Sequence, residues 1–390
     1  MINRINYTTL IPYFICTTSY LFSAIINITI VEQILVLNES SSSVLDRVYH
    51  YDILGYSIAG LLLFIFSVYL NFRKITIFSL LIYIICTFNI GFFEFSGIVQ
   101  KIYPIIYSGT NLLIITTLLC YIFNNNQIKR EYLLSFFIIS WSIAYFLAHL
   151  LLSYKSFKVI SVDLIAIREL IILNTISIGI FLFIFISNPY FNSLKYKTVN
   201  SLLVLKNVDL ELLGSFSIFY IMMAVLYSYE LYQFTDTLLT ITISEIKYYI
   251  LFAMLFVSIL APKFVFKYNH HKINILCIAT LLFTILAVPF WNNDLALSSF
   301  CWFIIASALY LYFCSNLLIL ATKFTQSYLQ LATILYMLAG SIGYYCSYII
   351  MENIEDTDNE YNLLISICFV LFGLFAYYLY RYKKYNLGKW

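Results

Sequence analysis

Three ionisable side chains in otherwise apolar segments, Glu32, His149 and Glu230, have the clearest chemical potential in this sequence. An ionisable group at membrane depth costs on the order of 2.5–3.5 kcal/mol on insertion scales, so it usually faces a polar cavity or a partner. A carboxyl group or an imidazole in such a place can take up and release a proton as its access alternates between two sides. We therefore take these three residues as candidates for proton coupling.

Each candidate also has a structural interpretation, and the sequence leaves both open. Glu32 lies at the end of the first apolar segment, where a carboxylate can extend to water. His149 could instead make a hydrogen bond to a neighbouring helix. Glu230 ends the first apolar segment of the second half of the chain and is thus the counterpart of Glu32.

Membrane-spanning helices are the elements that must position these side chains. Of the 390 residues, 62% are hydrophobic and only 11% are charged, whereas soluble domains carry about 25% charged residues. A bilayer core about 30 Å thick needs ~20 apolar residues per helix. Twelve windows meet this requirement, near 9–31, 53–71, 75–93, 104–123, 132–153, 170–187, 212–230, 248–266, 273–290, 296–321, 329–350 and 361–380.

The positions of the charges predict that both termini are cytoplasmic. With the N-terminus inside, most of the 22 Lys and Arg residues fall in the inner segments, as the positive-inside rule requires. The longest inner connection, 188–211, then separates a six-helix half, 1–187, from a second half, 212–390. Basic inner loops after the second and eighth spans favour an internal repeat, as in many secondary transporters, although such loops also simply mark cytoplasmic segments.

Composition and motifs argue against several other classes of protein. A net charge of +3 is too small to indicate a nucleic-acid-binding surface. None of the four histidines is followed four residues later by an aspartate, as in one acyltransferase signature, and no GxxxxGK[ST] nucleotide motif occurs. The eight cysteines lie in apolar runs without CxxC spacing. We therefore expect no enzymatic activity, no cofactor, no metal site and no nucleic-acid partner.

Two stretches of the first half resemble the major facilitator superfamily, and within it the EmrB-type branch of drug:proton antiporters. Asn27-Ile28-Thr29-Ile30-Val31-Glu32 keeps the spacing of that branch's Asp-x-x-Ile-Val-Asn pattern, and Tyr51-Asp52-Ile53-Leu54-Gly55-Tyr56 that of Trp-x-x-x-x-Tyr. Proton-coupled members of the superfamily have an Arg-x-x-Gln-Gly element in helix four, of which this sequence keeps the glycine, Gly109, without the arginine. The resemblance implies that Asn27, Tyr56 and Gly109 line a substrate cavity.

The loop between the second and third spans departs from the superfamily pattern. Its residues Asn71-Phe72-Arg73-Lys74 keep the basic character of the superfamily signature but have neither its glycine nor its aspartate. By resemblance, Asn71, Arg73 and Lys74 form a cytoplasmic gate loop. Helix five also lacks the Gly-Pro-rich antiporter signature.

These features together predict an all-α polytopic membrane protein with twelve transmembrane helices in two six-helix halves. Abundant Ile, Asn, Tyr and Phe suggest an AT-rich bacterial genome, and we expect the chain in the inner membrane. By resemblance, it would be a secondary transporter that works by alternating access and exports hydrophobic drugs or toxic compounds in exchange for protons.

The partners implied are a small-molecule substrate, the lipid bilayer, and a periplasmic adaptor with an outer-membrane channel. The missing antiport signatures favour an alternative, a metabolite or siderophore carrier of the same fold. A third alternative is a degenerate transporter that acts as a receptor or assembly partner.

Overall fold

The structure is a computed structural model, and within the residues it describes every regular element is helical. The described residues are 7–36, 54–62, 65, 72–92, 97–124, 130–154, 164–188, 206, 208, 212–219, 221–222, 252–260, 270–287, 290, 295–324, 326–355 and 360–387. Side chains near several helix ends, including those of Glu32 and His149, lie outside this description.

Nine helices are described from end to end. They are α1 (Tyr7–Val36), α2 (Phe72–Phe92), α3 (Gly97–Asn124), α4 (Arg130–Tyr154), α5 (Leu164–Ser187), α6 (His270–Leu286), α7 (Leu295–Lys323), α8 (Gln326–Glu355) and α9 (Glu360–Leu387). Three more helical segments are described in part, at 54–62, 212–219 and 252–260. Each of these twelve overlaps one predicted window, so the predicted all-α, twelve-span architecture is confirmed.

Length and apolar composition allow many of these helices to cross a bilayer. Five described windows are long and apolar enough, at Leu10–Asn27, Ile102–Leu119, Arg168–Ser187, Phe300–Leu320 and Ile365–Lys383. Shorter apolar stretches lie at Tyr132–Ala148, His270–Leu286 and Leu331–Gly340. The phenylalanines of α5 lie in two environments, the interior of the helix bundle and its outer surface. Phe181 and Phe185 are buried, whereas Phe183 is 73% exposed and faces outward from the bundle.

The helix ends differ from the apolar windows for identifiable reasons. Helix α3 begins at Gly97, ahead of the predicted start, and includes Pro104 in its interior. Helix α6 ends at Leu286, followed by a turn in which the Phe290 amide donates to the Ala287 carbonyl at 2.9 Å. Pro289 has no amide hydrogen to continue a helix, which explains the early end.

The chain forms two compact units. Unit 1 comprises Met1–Asp209 and Phe324–Ser341, and unit 2 comprises Leu210–Lys323 and Ile342–Trp390. In unit 1, α1 packs against α4 and α5, and α2 packs against α3 and α5. In unit 2, α6 packs against α7 and α9. The predicted halves at 1–187 and 212–390 stay a prediction.

Candidate functional site

Polar side chains from four helices of unit 1 meet around Asn174 of α5. Its Nδ2 donates to Asn27 Oδ1 and to the Tyr83 hydroxyl, each at 3.2 Å. The Ser23 hydroxyl donates to Asn174 Oδ1. Asn27 and Asn174 are fully buried, and Ser23 and Tyr83 nearly so. The Asn174 amide thus has partners on both its oxygen and its nitrogen, as a buried amide should.

Asn27 of α1 is the less satisfied of the two amides. Its oxygen accepts from Asn174 and from the Tyr103 hydroxyl of α3. Its Nδ2 is buried and has no hydrogen-bond partner among the described residues. A buried donor without an acceptor costs about 1–3 kcal/mol. Among the described residues Asn27 therefore leaves one donor open in a hydrogen-bonded cluster. We call this cluster the outer network: Ser23, Asn27, Tyr83, Thr87, Tyr103 and Asn174.

Tyrosines of α2 and α3 enclose this cluster. The rings of Tyr83 and Tyr103 stack with centroids 6.3 Å apart, and the Tyr107 ring lies 5.7 Å from Tyr83. Thr87 Oγ1 lies 3.2 Å from the Tyr103 hydroxyl and donates to the Tyr83 carbonyl at 2.8 Å. The Tyr107 hydroxyl donates to the Ala24 carbonyl of α1 at 2.7 Å. The hydroxyls of Tyr103 and Tyr107 thus join α3 to α1, and Thr87 joins α2 to α3.

A further hydrogen bond joins α1 and α3 at a second position along these helices. The Tyr20 hydroxyl of α1 donates to the Asn111 side-chain oxygen of α3. Both residues are buried. Asn27 lies in the second half of α1, Tyr103 in the second turn of α3 and Asn174 in the first half of α5. With the predicted cytoplasmic N-terminus, these positions put the outer network in the outer half of the membrane.

Glycines bring the segment 54–62 close to α3. A Cβ on Gly55 would lie 2.5 Å from the Ile105 carbonyl oxygen, and a Cβ on Gly109 would lie 3.1 Å from Ala59 Cβ. Such spacing lets two helix backbones approach closely. Gly109 therefore makes a helix-packing contact, and its assignment to a substrate cavity stays a prediction. Tyr56 is half-buried in the same segment and lies near Tyr20.

Arg73 of the predicted gate loop contacts the end of another helix. Its Nη2 donates to the Ile186 carbonyl in the last turn of α5 at 3.3 Å. A guanidinium stabilises the partial negative charge of a helix C-terminus. Lys74 is exposed, and Asn71 lies outside the described residues. The gating role of the three residues stays a prediction.

The proton-coupling candidates are not placed by the structure. Glu32 and His149 belong to α1 and α4, but their side chains lie outside the described part, and Glu230 lies outside it altogether. Within the described ranges no three His, Cys, Asp or Glu side chains come together as a metal site would require. Proton coupling through these residues stays a prediction.

Unit 2 contains a second buried polar cluster, the inner network of Ser215, Asn274, Tyr312, Asn316 and Tyr378. The Tyr378 hydroxyl lies 2.6 Å from Ser215 Oγ and 3.0 Å from the Tyr312 hydroxyl. Asn274 Nδ2 donates to Asn316 Oδ1 at 3.0 Å. All five residues are buried.

The inner network lies near the opposite helix ends from the outer one. Asn274 lies in the second turn of α6, and Asn316 two turns before the end of α7. These ends are predicted to face the cytoplasm. The helices that contribute are the seventh, ninth, tenth and twelfth in chain order, which correspond to the first, third, fourth and sixth of the outer network. This correspondence fits the internal repeat expected from the loops.

Sequence reasoning identified Asn27 and missed its partners. Asn174 and Asn316 are single amides in apolar runs, such as Ile172-Leu173-Asn174, whereas Asn274 closely follows the polar stretch His270-His271-Lys272. An isolated polar residue at membrane depth usually faces a partner, and this signal could have found Asn174 and Asn316 but not Asn274. Tyr83 and Tyr103 carried no such signal, because tyrosine is abundant throughout the chain.

Solved structures with a similar fold are transporters. A bacterial homologue of the iron transporter ferroportin matches with a TM-score of 0.75 and 12% identity, over 97% of this chain and 100% of that chain. The human organic anion transporter MFSD10 (TETRAN) matches with a TM-score of 0.70 and 9% identity, over 95% and 98%. The major facilitator superfamily proton:xylose symporter XylE matches with a TM-score of 0.64 and 14% identity, over 97% and 96%.

The chain has the major facilitator superfamily fold. The likeness covers nearly the whole length of each chain, and at these identities it is a likeness of fold. No protein-family model matches the sequence, and no curated protein does. Both networks thus lie within the helices of the major facilitator superfamily fold.

Proposed function

We propose that this protein is a secondary transporter that moves a small solute by alternating access. The observation that carries the proposal is the Asn27 donor, which has no partner in the described part of the chain and lies in a buried cluster of hydrogen-bonding groups. A buried amide donor with no acceptor is costly unless a water or solute oxygen completes it. A carrier needs such a group, because its cargo must be bound inside the membrane and released again.

The chemistry of the outer network supports a polar, uncharged cargo. Its members present amides and hydroxyls between tyrosine rings, and none of them is a carboxylate or a cation. Ligand sites commonly combine aromatic walls with a few convergent polar groups. This favours the metabolite carrier over the exporter of hydrophobic drugs. Solved neighbours with this fold include proton symporters of fucose and xylose.

Proton-coupled efflux of hydrophobic compounds is the second candidate. The feature that favours it is the resemblance of residues 27–32 to the drug:proton antiporters, which places Glu32 near Asn27 along α1. In that case Glu32 carries the proton and the aromatic side chains contact the cargo. A periplasmic adaptor and an outer-membrane channel would then be partners in export.

The test uses the full chain in proteoliposomes that contain a pH-sensitive dye. L-fucose, D-xylose, a dicarboxylate and ethidium are added in turn, and the solute-driven change in lumen pH is recorded. We expect a sugar to give the largest signal, and Asn27→Leu to lower its rate about tenfold, equivalent to 1.4 kcal/mol. Ser140→Ala is the control, because its hydroxyl is buried outside the network and makes no hydrogen bond in the described part of the chain.

The two candidates give different results in this assay. A signal with ethidium alone that disappears in Glu32→Gln would replace the metabolite carrier by proton-coupled efflux. Equal rates for the wild type, Asn27→Leu and Glu32→Gln with every solute would contradict both. Folded protein is verified for each variant by its elution as a single species in detergent.

A further inference from the structure

Two packed helices of unit 2, α6 and α9, carry exposed lysines at the same end of the pair. Helix α6 begins at His270, α9 ends at Leu387, and the two helices pack against each other. The ammonium of Lys272 lies over the Tyr382 ring of α9, 5.5 Å from its centroid, a separation typical of a cation–π contact. Lys272 is exposed, and so is Lys383, the residue after Tyr382. The α6–α9 pair therefore brings two lysines to one end.

A row of exposed apolar side chains runs along α6 from Lys272. Leu276 follows this lysine by four residues and Phe283 by eleven. These spacings correspond to about one turn and about three turns of helix, so the three side chains share a face. Both apolar side chains are more than half exposed. One face of α6 thus combines a cation at its end with apolar surface below it.

The same spacing recurs on α9 in the opposite chain direction. Leu379 precedes Lys383 by four residues and Phe372 precedes it by eleven, and both apolar side chains are exposed. Because α6 begins and α9 ends at this end of the pair, each row runs from its lysine into the helix pair. Eleven residues of helix rise about 16 Å, roughly half the thickness of a 30 Å bilayer core. Each row therefore has about the length of one leaflet.

The lysine end of the pair has positive charge without acidic residues. The first turn of α6 contains no acidic residue, and neither does the stretch 381–387 of α9. Arg381 is also exposed, two residues before Lys383. This end is predicted to face the cytoplasm, where anionic lipid headgroups attract Lys and Arg side chains near the membrane surface. Charge complementarity thus favours an anionic partner.

We propose that the lysine end of α6 and α9 binds one anionic phospholipid of the surrounding bilayer. Its phosphate contacts Lys272 and Lys383, and its acyl chains lie along the two apolar rows. A phospholipid matches both features, because its headgroup lies at the membrane surface and its chains extend through one leaflet. A free phosphate would use the lysines and leave the rows unused. The site consists of exposed side chains of unit 2 and does not depend on the proposed transport function.

The corresponding helices of unit 1 have only one such row. Lys74 of α2 is exposed, and Phe78 and Ile85 follow it by four and eleven residues and are exposed as well. Helix α2 packs against α5, but the last turn of α5 contains no basic residue. The neighbouring Arg73 donates to the Ile186 carbonyl of α5. Lys74 is therefore a matched control, a lysine with the same apolar row and no lysine on the packed helix.

Titration of the full chain in detergent with dioleoylphosphatidylglycerol and dioleoylphosphatidylcholine tests the site, with bound lipids counted by native mass spectrometry. The two lipids share their acyl chains and differ in headgroup charge. We expect the first phosphatidylglycerol to bind about tenfold tighter than the first phosphatidylcholine. Lys272→Gln combined with Lys383→Gln should reduce this preference to less than about twofold. Lys74→Gln should keep the preference of the wild type.

A second double variant, Lys272→Arg with Lys383→Arg, guards against misfolding. It keeps both charges and should keep the preference for phosphatidylglycerol. Loss of the preference in this variant would overturn the proposal, and so would equal binding of the two lipids by the wild type. A preference that survives in the double glutamine variant would also contradict it. If Lys74→Gln lost as much, any exposed lysine would suffice and the site would not be specific to α6 and α9.

Two further measurements test the apolar rows. Leu276→Asn combined with Leu379→Asn should weaken the binding of both lipids about threefold and leave the ratio between them unchanged. Unchanged binding of both lipids would overturn the placement of the acyl chains. Inorganic phosphate at millimolar concentration should not displace phosphatidylglycerol. Displacement by phosphate would show that the lysines bind a free anion, and would overturn the assignment to a lipid.

Discussion

The two units bury similar polar residues and complete their hydrogen bonds to different degrees. In the outer network Asn174 is bonded through both its oxygen and its nitrogen, and three helices other than its own supply or enclose its partners. In the inner network Asn274 and Asn316 share one bond, and in the described part of the chain Asn274 Oδ1 and Asn316 Nδ2 make no other bond of normal geometry. The outer network leaves one amide donor open, on Asn27, and the inner network leaves a donor and an acceptor open, in the described part of the chain; the bonded groups of each network hold its helices in place.

Asn174→Leu should have the largest effect on stability, because Asn174 is the residue of the outer network that is bonded through both its oxygen and its nitrogen. Ser23, Asn27 and Tyr83 would lose their shared partner while still buried. We expect a loss of about 3 kcal/mol in the free energy of unfolding, measured as a lower melting temperature of the detergent-solubilised protein. The adjacent Thr175→Val is the control, since the Thr175 hydroxyl donates only to the Ile171 carbonyl at 2.8 Å. Equal melting temperatures of the two variants would show that the outer network is not structural.

Glycine contacts give a second comparison between the units. Replacing the packed glycine should lower the free energy of unfolding by about 2 kcal/mol in each unit, measured by thermal unfolding. Gly55→Ala would place a methyl group against the Ile105 carbonyl in unit 1, and Gly343→Ala one against the Ser217 carbonyl in unit 2. Gly179→Ala and Gly373→Ala are matched controls, because nothing lies within 4 Å of their added Cβ. The controls should be neutral or stabilising by up to about 1 kcal/mol, since alanine favours helix over glycine. If Gly55→Ala or Gly343→Ala were as stable as its control, the two backbones at that contact would be able to move apart without cost.

Substitutions in the amide pair of the inner network, Asn274 and Asn316, should have the smallest effect on the free energy of unfolding. Asn274→Leu and Asn316→Leu should each cost about 1 kcal/mol, because each breaks one bond and leaves one buried partner. The double variant should be no less stable than either single variant, so a double-mutant cycle gives a favourable coupling of about 1 kcal/mol. Thermal unfolding measures all four proteins. Losses that simply add would show that the two amides do not interact, and would remove the contrast with Asn174.

The sequence predicted helices better than it predicted contacts. Apolar windows located each helix because span length follows from bilayer thickness. They placed ends poorly, as at α3, because a helix can continue into polar flanks or past a proline such as Pro104. Asn27 was found through a family pattern, while Asn174 was missed. Which amide meets which hydroxyl depends on helix rotation and packing, and apolar composition holds no information about rotation.

The outer network also has a consequence for how the chain is made. Asn27 and Asn174 are 147 residues apart and bond across α1 and α5. During synthesis α1 enters the membrane first, carrying an amide whose partners, Tyr103 on α3 and Asn174 on α5, have yet to emerge. Since unsatisfied polar groups are costly in lipid, α1 gains its full stability there only after the sixth span is inserted. The hydrogen bonds of Asn27 can therefore be completed only after α5 has joined α1 in the membrane.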